Sequence, residues 1–230
     1  MKTLQGMLTA LLAVTALAAS PAGAAPVTLN LDYTGFAEGY QTGIITDDGT
    51  SQHVAAGLFE FKVSNTQGDS PITWSDTLQA FCIQTDTLLN KNPVNYTLAS
   101  ATDHFGDSHQ VDLIGQLYTG YRNQVTDATT SAGFQLALWE LVNESQSSKG
   151  LTAGDFTSNQ FTGARAKADE WLSSLGSLVN EFELYVLTSA NSQDLLVFKP
   201  TPPVRVPEPA TIALLALGLL AMGLRMRQRR

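Results

Sequence analysis

Hydrophobic and polar positions alternate from Pro26 onward: Val27, Leu29 and Leu31 are set against Thr28, Asn30 and Asp32. That is the period of two expected of a half-buried strand. Leu58, Phe59, Phe61 and Val63 form a second β-rich run, so Pro26 to about Lys62 reads as strand. Asp48-Gly49 and Gln67-Gly68-Asp69 carry turn chemistry, and Thr46 to Gly57 reads as a hairpin or a loop. Gln79 to Thr85, with Phe81, Cys82 and Ile83, predicts a short buried strand.

The period then changes. Val111, Ile114, Leu117 and Tyr118 recur at helical spacing and are followed by Gly120, a residue suited to a helix C-cap. Phe134, Leu138, Leu141 and Val142 mark one face of a stronger helix, with capping candidates between Asp127 and Ser131. A third helix is expected from Gly163 to Leu178, on Ala164, Ala168, Trp171, Leu172 and Leu175. Strand character returns over Glu183 to Leu187 and Asp194 to Phe198. Strands, a block of about three helices and strands again predict one α+β domain over residues 25–199. Pro200, Pro202 and Pro203 make residues 200–206 a stiff linker.

Both chain ends carry apolar runs of a different kind. Lys2 precedes an apolar stretch from Met7 to Ala18, and Ala22-Gly23-Ala24 supplies the small residues that signal peptidase reads, so residues 1–24 are expected to be a cleavable signal peptide. Cutting after Ala24 is favoured over Ala25, which would leave Pro26, with no backbone N–H, directly after the cut. At the other end Val206-Pro207-Glu208-Pro209 precedes a charge-free run over residues 211–224, then Arg225, Arg227, Arg229 and Arg230. The run is short beside the ~20 residues of a comfortable membrane span, and the arginine cluster orients it with its C-terminus in the cytoplasm. On the apolar run alone, a plain tail anchor in a thinned bilayer is the alternative.

The Pro-Glu-Pro element, short transmembrane helix and basic terminus of residues 207–230 together resemble the PEP-CTERM sorting signal of Gram-negative bacterial envelope proteins. The resemblance implies recognition by an exosortase near Pro207 to Pro209, transient residence in the inner membrane, and a final location at the cell surface or in the extracellular matrix.

Charge and cysteine content sharpen this picture. The 230-residue chain has a formal charge of -8. Loss of Lys2 and four tail arginines against only Glu208 leaves the processed segment near about -12. So acidic a domain disfavours nucleic acid and anionic membrane surfaces as partners. An extracellular polysaccharide or another surface ligand stays open. The sequence has no internal repeat, phosphate-binding loop, dinucleotide fingerprint or zinc spacing, and no cofactor is expected. One cysteine, Cys82, stands alone in a chain bound for an oxidising space.

Cys82 sits in Phe81-Cys82-Ile83, and Gln135 is the one amide in Phe134-Gln135-Leu136-Ala137-Leu138-Trp139. An amide buried there needs a partner. Phe81-Cys82 together with this hydrophobe-Gln-x-x-hydrophobe-Trp run resembles the thioester domains of bacterial surface proteins, over roughly Ala80 to Asn143. The resemblance implies an internal thioester between Cys82 and Gln135, shielded by Phe81, Phe134, Leu138 and Trp139, that acylates target amines or hydroxyls. Such a chain is an adhesion module rather than an enzyme. A plain core in which Cys82 and Gln135 only pack, within a non-covalent matrix protein, is the alternative.

Two further readings rank lower. A cysteine hydrolase needs a histidine base, and His53, His104 and His109 all lie in loop-like sequence. Asp103, His104, Asp107 and His109 crowd into seven residues, but their spacing matches no standard metal loop, and Asp107 or Ser108 suits the cap of the next helix. No metal site is expected.

Overall fold

The computed structural model describes residues 25–144 and 150–201. The expected signal peptide, the sorting helix and most of the linker lie outside them. Among the described residues, no helix is long and apolar enough to cross a membrane.

Two long strands, β1 (Thr28–Asp47) and β2 (Thr50–Gln67), form one antiparallel hairpin closed at Asp48-Gly49. The stretch read as hairpin or loop is thus the paired tip of this hairpin. Asp48 and Gly49 both take positive φ, 45° and 77°, as a two-residue turn that follows the strand twist requires. Three register shifts, near Thr28, Gly35 and Gly39, interrupt the pairing and bend the ribbon.

The remaining strands are β3 (Thr77–Cys82), β4 (Val94–Ser100), β5 (Phe156–Asn159), β6 (Phe182–Thr188) and β7 (Leu195–Pro200). They join in the order β2-β3-β7-β6-β4-β1, and β1 pairs back onto β2, so six antiparallel strands close on themselves. Closure leaves those six without a free edge. β5 adds to the far end of β1, at Ile44 to Asp47. Pro200, expected in the linker, is the last residue of β7 and lies opposite Phe182.

The helices are α1 (Ala101–Phe105), α2 (Ser108–Tyr121), α3 (Ala128–Asn143) and α4 (Ala164–Ser173), with one 3-10 turn at Arg122–Gln124. The block therefore holds four α-helices and a short strand, where about three helices were expected. The helix predicted to run from Gly163 to Leu178 stops at Ser173. Gly120, expected as a C-cap, lies inside α2, where an added Cβ would come within 2.7 Å of Leu178 Cδ1. A glycine there lets the segment after α4 cross close to the helix.

Every residue of α3 from Ser131 to Leu141 is buried, including Glu140. The apolar positions of the sequence mark one face of this helix, and a glutamate off that face would ordinarily turn to water. Instead α3 packs on β1 and β2 on one side and α4 on the other, so it is enclosed all round. Its start is fixed by a capping box between Asp127 and Thr130. Its first turns are stitched to the hairpin by Ser131, whose hydroxyl accepts from Leu58 N–H at 2.8 Å and donates to Gly39 O at 2.9 Å. These bonds satisfy backbone groups where the β1–β2 ladder slips register.

Candidate functional site

Cys82 ends β3, and Gln135 sits in the middle of α3, 53 residues later. The two meet because α3 crosses the end of β3. At that point β3 pairs with β7 through Phe81 and Cys82 only, which leaves the backbone of Cys82 to find a partner on its other side.

Gln135 is that partner. Cys82 N–H donates to Gln135 Oε1 at 3.2 Å, and Gln135 Nε2 donates to the Cys82 carbonyl at 2.8 Å. The carboxamide is thereby held at both ends against one residue. Cys82 Sγ lies 3.5 Å from the same Oε1. Adding one C=O bond of about 1.2 Å puts the sulfur no more than about 4.7 Å from the amide carbon. Both residues are essentially inaccessible, Cys82 at 1% and Gln135 at 0%.

The flanking residues build the enclosure. Phe81 and Phe134 stack with ring centroids 4.4 Å apart, and Trp171 and Tyr118 approach the Phe134 ring edgewise. Phe81, Phe134, Leu138 and Trp139 are all buried. Burial pushes the Cys82 thiol up to about 12, because a thiolate would have no water to solvate it. Its own backbone N–H and the indole N–H of Trp139 pull weakly the other way. Trp139 Nε1 is buried without a regular hydrogen-bond partner, so its donor capacity is directed at the sulfur only at long range.

Chemically, the arrangement has three parts. The nucleophilic atom lies beside an amide carbonyl, a backbone N–H points at the carbonyl oxygen where negative charge would gather on attack, and bulk water is kept out. A cleft of about 370 Å³ leads to it, reaching Cys82 and Trp139 between Tyr33, Phe36 and Phe59 of the hairpin, with His53 and Lys91 also on its lining. Sequence reasoning missed these aromatic walls. Their signal is the cluster of aromatics on β1 and β2, but only the bulged pairing of the hairpin brings them over the cysteine.

The histidines are scattered. His53 is an exposed residue of β2 on the lining of that cleft, and it shares no hydrogen bond with Cys82. His104 lines a separate cleft of about 590 Å³ with Asp47, Asp48 and Asp86. His109 lies in the first turn of α2, where its N–H is taken by the N-cap Asp107 at 2.8 Å. Among the described residues, no three His, Cys, Asp or Glu side chains converge as a metal-binding set. Val206, Pro207, Glu208 and Pro209, and the cleavage residues Ala22 and Ala24, lie outside the described residues.

Residues 205–230 match the PEP-CTERM protein-sorting motif. The motif implies export to the cell envelope or surface and processing by an exosortase. No curated protein matches the chain. Among solved structures, the thioester domain of the Staphylococcus aureus TIE protein is similar at a TM-score of 0.47 and 13% identity, over 76% of this chain and 94% of that one.

Proposed function

We propose that this chain is an exported attachment module in which Cys82 and Gln135 close into an internal thioester. The observation that carries the reading is the clasp on Gln135. Its carboxamide is fixed by both backbone groups of Cys82, with Sγ 3.5 Å from Oε1. In the closing step sulfur bonds to the amide carbon, the thiol proton passes to the amide nitrogen, and ammonia leaves. The Cys82 N–H holds the developing oxyanion. A target amine or hydroxyl then attacks the same carbon. It becomes joined to the former Gln135 carbonyl, and its proton ends on the released Cys82 sulfur.

Each chain reacts once, so this is attachment and not turnover. Burial supports it twice. Exclusion of water slows hydrolysis of the acyl bond, and the aromatic-walled cleft brings a nucleophile as far as Cys82, the residue that clasps the Gln135 carboxamide. The partners that fit are signal peptidase and exosortase during export, the inner membrane in transit, and an extracellular polysaccharide or other surface ligand as the target.

A second reading is favoured by the completeness of the same hydrogen bonds. Gln135 satisfies Cys82 as a neighbouring strand would, so the pair also suits a purely structural role in a non-covalent matrix protein. Incubation of the full-length chain with methylamine separates the two. The covalent reading expects one methylamide at residue 135 by peptide mapping and none in Cys82→Ala. No incorporation into the unmodified chain, with Gln135 recovered intact, would favour the structural reading.

A further inference from the structure

We infer that the cleft around Arg165, at the outer end of the sheet, binds an acidic saccharide through a carboxylate on the sugar ring. The cleft has a volume of about 480 Å³ and is formed where β5 adds to β1, beneath the start of α4. Its lining is rich in hydroxyl and amide side chains, with Thr46, Ser51, Ser158 and Asn159 contributing. Thr46 and Ser51 face each other across the hairpin and share a hydrogen bond of 2.8 Å. Arg165 is the single charged residue on this lining.

Two polar groups there are unmet. Arg165 donates only a long bond from Nη2, at 3.4 Å to Leu151 O, and its Nε is buried with no partner. Ser158 is 6% exposed, and its Oγ is likewise buried without a partner. Neither is relieved by neighbouring acids. Asp169, one turn beyond Arg165 on α4, accepts from Leu151 N–H at 3.1 Å, and the two ion pairs among the described residues are Lys167–Glu170 and Lys199–Glu183. Buried donors without partners are uncommon and call for a ligand or ordered water.

The chemistry of the lining selects the ligand. A guanidinium whose donors are not used up by the protein suits a carboxylate through charge-assisted hydrogen bonds. Hydroxyl and amide groups around it match the ring hydroxyls of a sugar. A neutral glycan would leave the guanidinium unmet, and a simple anion would leave the hydroxyls unused. This inference is independent of Cys82 and Gln135.

The test is calorimetric titration of the full-length chain in detergent with an oligogalacturonate, alongside a neutral glucan oligosaccharide of equal length. Binding of the uronate is expected, with the neutral glycan at least about tenfold weaker, the loss of one charge-assisted hydrogen-bonded contact. Arg165→Ala should lose a similar factor and Arg165→Lys only part of it, with circular dichroism and thermal midpoint unchanged in the Lys variant. Acetate at matched carboxylate concentration should not displace the oligosaccharide. Equal binding of the neutral glycan, full affinity in Arg165→Ala, displacement by acetate, or no binding at millimolar uronate would each overturn the assignment, the last leaving ordered water as what meets Arg165 and Ser158.

Discussion

Replacing Gln135 by Ala, compared with a parent opened by methylamine so that residue 135 is again an amide, tests how much of the domain depends on the clasp at Cys82. The substitution strips the acceptor from Cys82 N–H and the donor from Cys82 C=O, both in a site that Gln135, at 0% exposure, shields completely. An unmet buried backbone group costs ~1–3 kcal/mol, so the pair should cost about 2–6 kcal/mol before any cavity is counted. For a domain of this size each kcal/mol lowers Tm by about 2–4 °C, giving an expected drop of roughly 5–20 °C. The assay is thermal unfolding followed by near-ultraviolet circular dichroism, which senses the Phe81–Phe134 stack and Trp139 around the site.

Gln135→Glu sharpens the same test. A protonated carboxyl can donate to Cys82 C=O and accept from Cys82 N–H, whereas an ionised one sets a negative oxygen against the carbonyl. Burial raises the folded-state pKa of such an acid, so its contribution is fully present below the unfolded pKa of about 4.3 and is lost as pH rises through the folded value. The Glu variant should therefore melt nearest the parent at pH 4 and fall away by pH 8. A Gln135→Ala chain melting within about 2 °C of the parent, or a Glu variant indifferent to pH, would refute the claim that Gln135 holds the end of β3.

Other outcomes follow from the same geometry. Once the thioester has been opened with methylamine, Cys82 is a thiol pushed up to about 12. Its alkylation by iodoacetamide at pH 8 should run about 10³-fold slower than that of an ordinary thiol with a pKa of about 8.5. The same opened form should lose stability as pH rises from about 9 towards 12, because the unfolded chain ionises first while the folded one keeps its proton, a trend followed by urea unfolding at stepped pH. Ser131→Ala should cost about 1–3 kcal/mol in urea unfolding, since the buried Leu58 N–H loses its acceptor, while Gly39 O, whose bond is only part-buried, can turn to water. Asp127, held below the usual carboxylate range by the backbone N–H and then the hydroxyl of Thr130, should lose its capping contribution as pH falls through that lowered value, seen as fraying of α3 in acid hydrogen exchange.

What the sequence revealed and hid has physical causes. Leu29 and Leu31 alternate cleanly because that end of β1 faces the core, but from Tyr33 to Gly43 bulges and glycines break the period, so the continuous hairpin read as pieces. β5 has four residues and α1 five, too short to establish any periodicity. In α3 the apolar face was legible while its complete burial was not, because enclosure by α4 is a tertiary fact that leaves Glu140 looking like a surface residue. Gly120 resembled a cap by type and position, and only the passage of Leu178 over it explains its place inside α2.

The candidate site divides in the same way. Residue type marked Cys82 and Gln135, since a lone thiol and a lone amide in apolar runs both need partners. The two-point grip of the Cys82 backbone on the carboxamide could not be read, because it depends on where α3 crosses the end of β3. The aromatic cleft was equally hidden, since Tyr33, Phe36 and Phe59 come together only through the slipped pairing of β1 and β2.

Intact mass spectrometry of the purified, untreated protein addresses the central proposal most directly. A chain in which Cys82 and Gln135 are joined should weigh less than its calculated mass by one ammonia, about 17 Da, with no thiol available to alkylate even after denaturation at acid pH. A mass equal to the calculated value, with Cys82 fully alkylated once the protein is unfolded, would contradict it.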